Sequence, residues 1–208
     1  PVRTVEPAQT GERIVRLPDP SQPVYVEGYH KGAAVDPDEP VFDVISEVLT
    51  TGRTSRMYRS LVRDKQIAVA VQSFTGLPGD KYPNLFIVFG IPARGHSNEE
   101  IRDAMRAELE KLKTEEISDA ELAMVKTRAK ADLIRSMDSN MGMAALLSEY
   151  YTLFGDWKDL FKSVELIEKV TKADIQRVAG ATFVDTNRTV GMLETIPVKT
   201  GSGGNSGR

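Results

Sequence analysis

The chain has 208 residues, 40% of them hydrophobic and 27% charged, with a formal net charge of −3. That is length enough for one domain with a real core, and the charge offers no electrostatic grip on nucleic acid. There is no cysteine, which excludes disulfide scaffolds, thiolate metal sites and cysteine nucleophiles. No apolar run approaches the roughly 20 residues of a membrane helix. The sequence opens Pro1-Val2-Arg3-Thr4 with neither Met nor a signal-like stretch. That is the pattern of a processed piece or a fragment, and it leaves the compartment open between cytoplasm and periplasm.

Residues 1–10 read as a linker, with two prolines and no apolar period. Glu12 to Leu17 is a short strand candidate, broken by Pro18-Asp19-Pro20-Ser21. Val24 to His30 alternates, with Val24 and Val26 on one side and Tyr25, Glu27 and Tyr29 on the other, as in a half-buried strand. Asp36-Pro37-Asp38-Glu39-Pro40 starts a helix whose acids suit the positive end of its dipole. Val41, Val44, Ile45, Val48 and Leu49 give that helix one apolar face. Thr51-Gly52-Arg53 interrupts it, and Ser55 to Asp64 reads as a second helix, with Met57 and Leu61 four apart. Ile67 to Phe74 and Leu85 to Ile91 are strands joined by a short link, so they should pair antiparallel. The second is apolar on both faces, which predicts a central place in the sheet.

Helices then follow. Ser97-Asn98-Glu99-Glu100 is a capping box opening a helix with Ile101, Ala104, Met105, Leu109 and Leu112 inward. Ser118-Asp119-Ala120-Glu121 is a second capping box, before Leu122, Val125, Ala129 and Leu133. Met141 to Leu153 continues as a helix ended by Gly155. Leu160, Val164 and Ile167 mark the next, and Thr171-Lys172-Ala173-Asp174 caps one more, carrying Ile175, Val178 and Ala179. Thr189 to Leu193 returns as a strand, and residues 197–208 are a Gly/Ser/Asn-rich flexible tail. The order β-β-α-α-β-β, helices, β does not alternate regularly. It predicts an α+β fold, one mostly antiparallel sheet with helices packed on one face.

Hydrolytic chemistry finds little purchase. A catalytic zinc site needs imidazoles or carboxylates converging on one point, and the only histidines are His30 and His96. His96-Ser97-Asn98-Glu99-Glu100 approaches the inverted zinc motif His-x-x-Glu-His, but Glu100 stands where the second His should be; the capping box explains those residues better. His30 reads as a loop-edge residue. There is no nucleophile elbow, no Ser-x-x-Lys and no Walker lysine loop. Carboxylate pairs such as Glu99-Glu100 and Glu115-Glu116 lie at helix ends or on polar faces. Asn187-Arg188-Thr189 forms a glycosylation sequon at the start of a strand, a coincidence of composition.

The informative stretch is Leu49-Thr50-Thr51-Gly52-Arg53-Thr54-Ser55-Arg56-Met57-Tyr58-Arg59-Ser60-Leu61. It resembles the Gly-x-x-Ser-Arg-Leu-Tyr-x-x-Leu segment of the pitrilysin, insulinase and mitochondrial processing peptidase family, in its second half-repeat. Pro18 to Pro23 before a strand, Asp36-Pro37-Asp38 and the linker up to Arg13 fit the same half. The resemblance implies a processing-peptidase-like (LuxS/MPP-like metallohydrolase) half-lobe over residues 11–196. In that family a zinc-bearing N-terminal lobe, with His-x-x-Glu-His, faces a zinc-free C-terminal lobe across a chamber. It therefore implies no catalytic or metal-ligating residue in this chain. Zinc is expected in a partner lobe, on the same polypeptide or a separate subunit, with a peptide as substrate; homo-oligomerisation stays open. Gly52, Ser55, Arg56 and Arg63 are the candidates for a substrate-facing or interlobe loop. Active second lobes carry an Arg and, seven residues on, a Tyr that steady the scissile carbonyl; the matching positions here are Val62 and Val69, which donate no hydrogen bond. The alternative that this departure favours is a non-catalytic assembly subunit of the same fold.

Overall fold

A computed structural model describes residues 6–197. The flexible tail expected over 197–208 lies outside the described residues from 198 on, as do the first five residues of the expected linker. Five strands form one sheet: β1 (Arg13–Asp19), β2 (Val24–Lys31), β3 (Ala68–Leu77), β4 (Asn84–Pro92) and β5 (Arg188–Thr195), in the order β1-β5-β2-β4-β3. Every pairing is antiparallel except β1 with β5. The expected β3–β4 pair forms, with Val71 opposite Gly90 and Phe74 opposite Ile87. β4 is an interior strand as its double-sided apolar pattern requires, but the centre belongs to β2. The last strand returns from the helices and inserts beside β2, displacing β4 by one place.

The helices are α1 (Glu39–Thr50), α2 (Asn98–Thr114), α3 (Asp119–Ser136), α4 (Asn140–Phe154), α5 (Asp159–Lys169) and α6 (Lys172–Thr182). α1, α2 and α6 pack on the sheet face formed by Tyr25, Tyr29, Phe86, Val88, Val190 and Met192, all buried. Aromatic rings seal this layer: Phe42 of α1 lies 5.9 Å from Phe86, and Phe183, just after α6, lies 5.0 Å from Tyr29 and 5.4 Å from Phe86. Gly90 admits α2 to the sheet; a Cβ there would stand 2.6 Å from Ile101 Cγ2. The five apolar residues expected to face inward on α2 are all buried. α3 and α5 form a second layer over α1.

Local chemistry sets the helix ends. The Ser97–Glu100 box closes in both directions, and so does the box of Thr171 with Asp174. The box expected at Ser118 closes only halfway. Ser118 Oγ accepts from the Glu121 amide, but the Glu121 carboxylate is taken by Arg56 instead. The second helix expected over Ser55 to Asp64 is also altered. Residues Tyr58–Asp64 form a π-helix, with the Lys65 amide donating to Ser60 O five residues back. Such wide turns are uncommon and mark places where a chain must fit between fixed neighbours. Here the neighbours are β3 and α2.

Candidate functional site

The corner between α1 and the π-helix carries three of the four candidate residues. Gly52 has φ +77°, the left-handed region that glycine enters without strain. Its carbonyl accepts from both the amide (3.2 Å) and the hydroxyl (2.8 Å) of Ser55, whose buried side chain knots the turn. Two arginine contacts then fasten the corner to α3. Arg128 donates to Thr51 O at 2.5 Å and to Thr54 Oγ1 at 3.3 Å. Arg56 donates through Nε and Nη2 to the two carboxylate oxygens of Glu121, both at 2.8 Å. This fork-to-fork geometry is the strongest form of such a pair, and the hydrogen bond from Arg56 holds the Glu121 carboxyl below its ordinary range. The structure thus brings Gly52, Ser55 and Arg56 together, with their polar groups engaged in holding the corner. Arg63 is not part of it: exposed, it pairs among the described residues with the adjacent Asp64. An open cleft of about 660 Å³ runs beside the corner, lined by Arg56, Arg59, Lys65, Glu108, Lys111 and Glu121 among others.

Val62 and Val69 differ in setting. Val62 packs against the core, whereas Val69, at the start of edge strand β3, is 56% exposed.

Two acidic clusters lie beyond the motif. Glu27, fully buried on β2, accepts from Tyr25 Oη (2.6 Å), Tyr29 Oη (2.7 Å) and Arg106 Nε (2.6 Å). Arg106 also reaches Glu12 at 2.5 Å, and Arg188 reaches Glu12 at 2.6 Å and Asp185 at 2.5 Å. Burial works to raise the Glu12 pKa, but the hydrogen bond from Arg188 and the charges of Arg106 and Arg188 outweigh it and hold it low. Burial, then the charge of Glu27, pushes both tyrosines upward, so they stay protonated as donors. The network ties β1, β2, β5 and α2 into one unit.

The second cluster lies in a groove of about 420 Å³ between α1, β3 and α3, lined by Asp43, Ser46, Glu47, Ser73, Asp132 and Tyr150 among others. Burial, then repulsion from Glu39, pushes the Asp43 pKa up to about 7 against the pull of Lys31. Glu47 is raised by burial too, and its buried Oε2 accepts no hydrogen bond. Ser46 and Thr50 bond the Ser73 hydroxyl at 2.7 Å each, and Thr50 Oγ1 accepts from the Ser73 amide at 3.1 Å. That stretch of the β3 edge is therefore closed by α1.

Sequence reasoning missed both clusters as structural facts. The signals were present: Glu27 sits between two tyrosines on one side of a strand, and Asp43 and Glu47 stand four apart within an apolar helix.

The two histidines do not come together as a pair of zinc ligands. His30 is half-buried within β2 rather than at a loop edge, and lies opposite Leu85 at the start of β4. His96 follows the other end of β4 and sits 3.2 Å from Glu100. Seven strand residues, at about 3.3 Å each, separate the two ends. Among the described residues no group of three or more His, Cys, Asp or Glu converges to hold a metal. Asn187 spends its amide on His30 O and Thr182 O, so that side chain pins a turn.

Comparison with known proteins now bears on this geometry. Residues 1–129 match the family described as the peptidase M16 inactive domain. The chain belongs to that family. A zinc protease, PqqE, from Helicobacter pylori is 31% identical over 193 residues, which is 91% of this chain and 42% of that protein. The crystal structure of a protease from the same species superposes with a TM-score of 0.83 at 27% identity, covering 90% of this chain and 45% of the other. The inactive peptidase domain of a putative zinc protease from Bordetella parapertussis gives 0.73 at 27%, covering 82% and 89%. The chain thus spans less than half the length of the Helicobacter proteins and most of the Bordetella domain. Among the described residues no helix is long and apolar enough to cross a membrane.

Proposed function

We propose that this chain is the zinc-free second lobe of a zinc metallopeptidase, spanning residues 11–196. In this reading it closes a chamber over an extended peptide that a zinc-bearing N-terminal lobe cuts. The observation that carries the reading is the match to an inactive-domain family over residues 1–129; that among the described residues no group of three or more His, Cys, Asp or Glu converges is in keeping with it. The named Helicobacter relative is a zinc protease more than twice the length matched, which leaves room for a metal-bearing half. Peptide can add to a sheet edge through backbone hydrogen bonds, giving sequence-tolerant affinity. β1 and β3 are the edges; Thr50 caps the Ser73 amide on β3, so β1 and the Val69 end of β3 are the stretches left for a peptide. With Val69 unable to donate, the stabilisation of a developing oxyanion falls to the other lobe.

The experiment is zinc content and peptide hydrolysis for the chain alone and with its zinc-bearing half. The expected result is no zinc and no cleavage alone, and chelator-sensitive cleavage by the pair. Chelator-sensitive cleavage by the isolated chain overturns the proposal. A pair that assembles, holds zinc and cuts nothing favours the assembly-subunit reading, which the valines at 62 and 69 already support.

A further inference from the structure

The groove between α1, β3 and α3 is walled on one side by the least anchored part of the molecule. Among the described residues none from 126 to 159 is buried, although the stretch takes in the last part of α3 and all of α4. Its anchors cluster at one end. Lys126 donates to Glu168 O at 2.7 Å and Lys130 pairs with the Glu168 carboxylate, fastening α3 to α5. Arg128 holds the corner through Thr51 O. From residue 131 to 154, among the described residues, side-chain bonds stay within the stretch itself, apart from that of Tyr150 with Ser163. Met141 is 81% and Ile134 63% exposed. Segments with so little buried surface open locally at low cost.

Three carboxylates line that groove, Asp43 and Glu47 from α1 and Asp132 from α3. Arg128 lies 3.6 Å from Glu47 Oε2, but its guanidinium is already given to Thr51 O. Glu47 Oε2 is buried and accepts no hydrogen bond. The other elements around α1 offer Asp43 little relief. β2 supplies Lys31, which is paired with Glu39 of α1. The turn after β3 supplies Asp80, a further negative charge. α4 supplies Tyr150, while β3 and α5 line the groove with hydroxyls and apolar groups, among them Ser73, Phe74 and Ser163. Arg177 of α6 is bonded to Asp38, just ahead of α1.

We propose that residues 131–154 form a proton-operated flap, closed against α1 while Asp43 is uncharged and released when Asp43 ionises. Ionisation puts a third like charge on a groove short of free cations. Moving the flap admits water to all three carboxylates and surrenders no buried side chain. A shift of α1 would instead pull its six buried apolar residues out of the core. Burial, then the charge of Glu39, holds the Asp43 pKa at about 7 against the pull of Lys31, which puts the release in the neutral range. Asp43 binds its proton more tightly with the flap closed, so acid favours the closed form and rising pH the open one. Each pH unit between the open and closed pKa raises the opening constant by up to about tenfold. The flap goes beyond the two-lobe reading and does not depend on it.

Hydrogen–deuterium exchange of the whole chain at pH 5 and pH 8, corrected for the intrinsic pH dependence of amide exchange, tests the flap. The reference is α2, whose apolar face is buried against the sheet. From pH 5 to pH 8, residues 131–154 should lose protection at least tenfold while α2 holds steady. Asp43→Asn, close to isosteric and uncharged at both pH values, should keep the flap protected throughout. Asp43→Ser should do the same, and it decides the matter if α2 shows that the first variant has not folded. Equal flap protection at both pH values in the unaltered chain overturns the proposal. So does a full pH response that survives in a folded Asp43 variant, since the ionising group then lies elsewhere. Parallel loss in α2 and the flap overturns it too, because that is opening of the whole domain.

Discussion

Glu27 and Asp43 are both carboxylates on core elements of one small domain, and they have opposite fates. Glu27 is the more deeply buried, yet two tyrosine hydroxyls and a guanidinium surround it with donors. Asp43, half-buried on α1, is pushed up to about 7 by burial and by the charges of Glu39, Asp80 and Glu47, against the pull of Lys31. The two sites therefore differ less in depth than in the supply of donors and cations around the carboxylate. The first site is a structural clasp, and the second is a strained surface on the wall of a groove. Proteins keep such perturbed groups more often in clefts than elsewhere.

Removing the clasp's centre is the sharpest way to break that contrast. Glu27→Ala should cost about 3–5 kcal/mol, because Arg106 would remain partly buried without its partner. Urea denaturation checks it; a loss under 1 kcal/mol would show that the network is not cooperative.

Asp43 should respond in the opposite sense. Its folded pKa of about 7 lies above the unfolded value of 3.8, so the native state binds the proton more tightly. Its favourable contribution is full below about pH 4 and is lost as pH rises toward 7, leaving the native state penalised above that. Asp43→Asn should remove this slope and gain about 2 kcal/mol at pH 8, below the full shift of roughly three units because the side chain is half-buried. Denaturation midpoints at pH 5 and pH 8 for both proteins measure it; parallel pH slopes would refute the assignment.

A smaller effect is expected at the family motif. Arg56→Ala removes a partly exposed bidentate pair and should cost about 1 kcal/mol, with faster proteolytic nicking between Thr51 and Tyr58. Smallest is Arg63→Ala. Its partner is its exposed neighbour Asp64, so the midpoint should not move; a change in peptide hydrolysis by the assembled pair, at unchanged stability, would mark Arg63 as a substrate contact.

The motif residues show how far a pattern can be read. Gly52 to Leu61 identified the corner and its family, because a left-handed glycine, a knotting serine and paired apolar residues are local requirements. The partner of Arg56 was not legible, since Glu121 lies 65 residues away and its local pattern with Ser118 reads as a capping box. The π-helix was equally hidden: its residues suit an ordinary helix, and the wider turn comes from fitting between β3 and α2. The clasp around Glu27 joins residues 12, 27, 106 and 188, a set no local period can announce.

The sequence by itself determined the elements, the helix starts and the apolar character of β4 on both sides. These follow from periodicity, capping chemistry and residue inventory, which act over a few residues. Only the tertiary structure decided that β5 inserts beside β2 and that Arg56 and Arg128 fasten the motif to α3. Those outcomes depend on which distant surfaces meet, and the free energy of such meetings is shared among residues far apart in the chain.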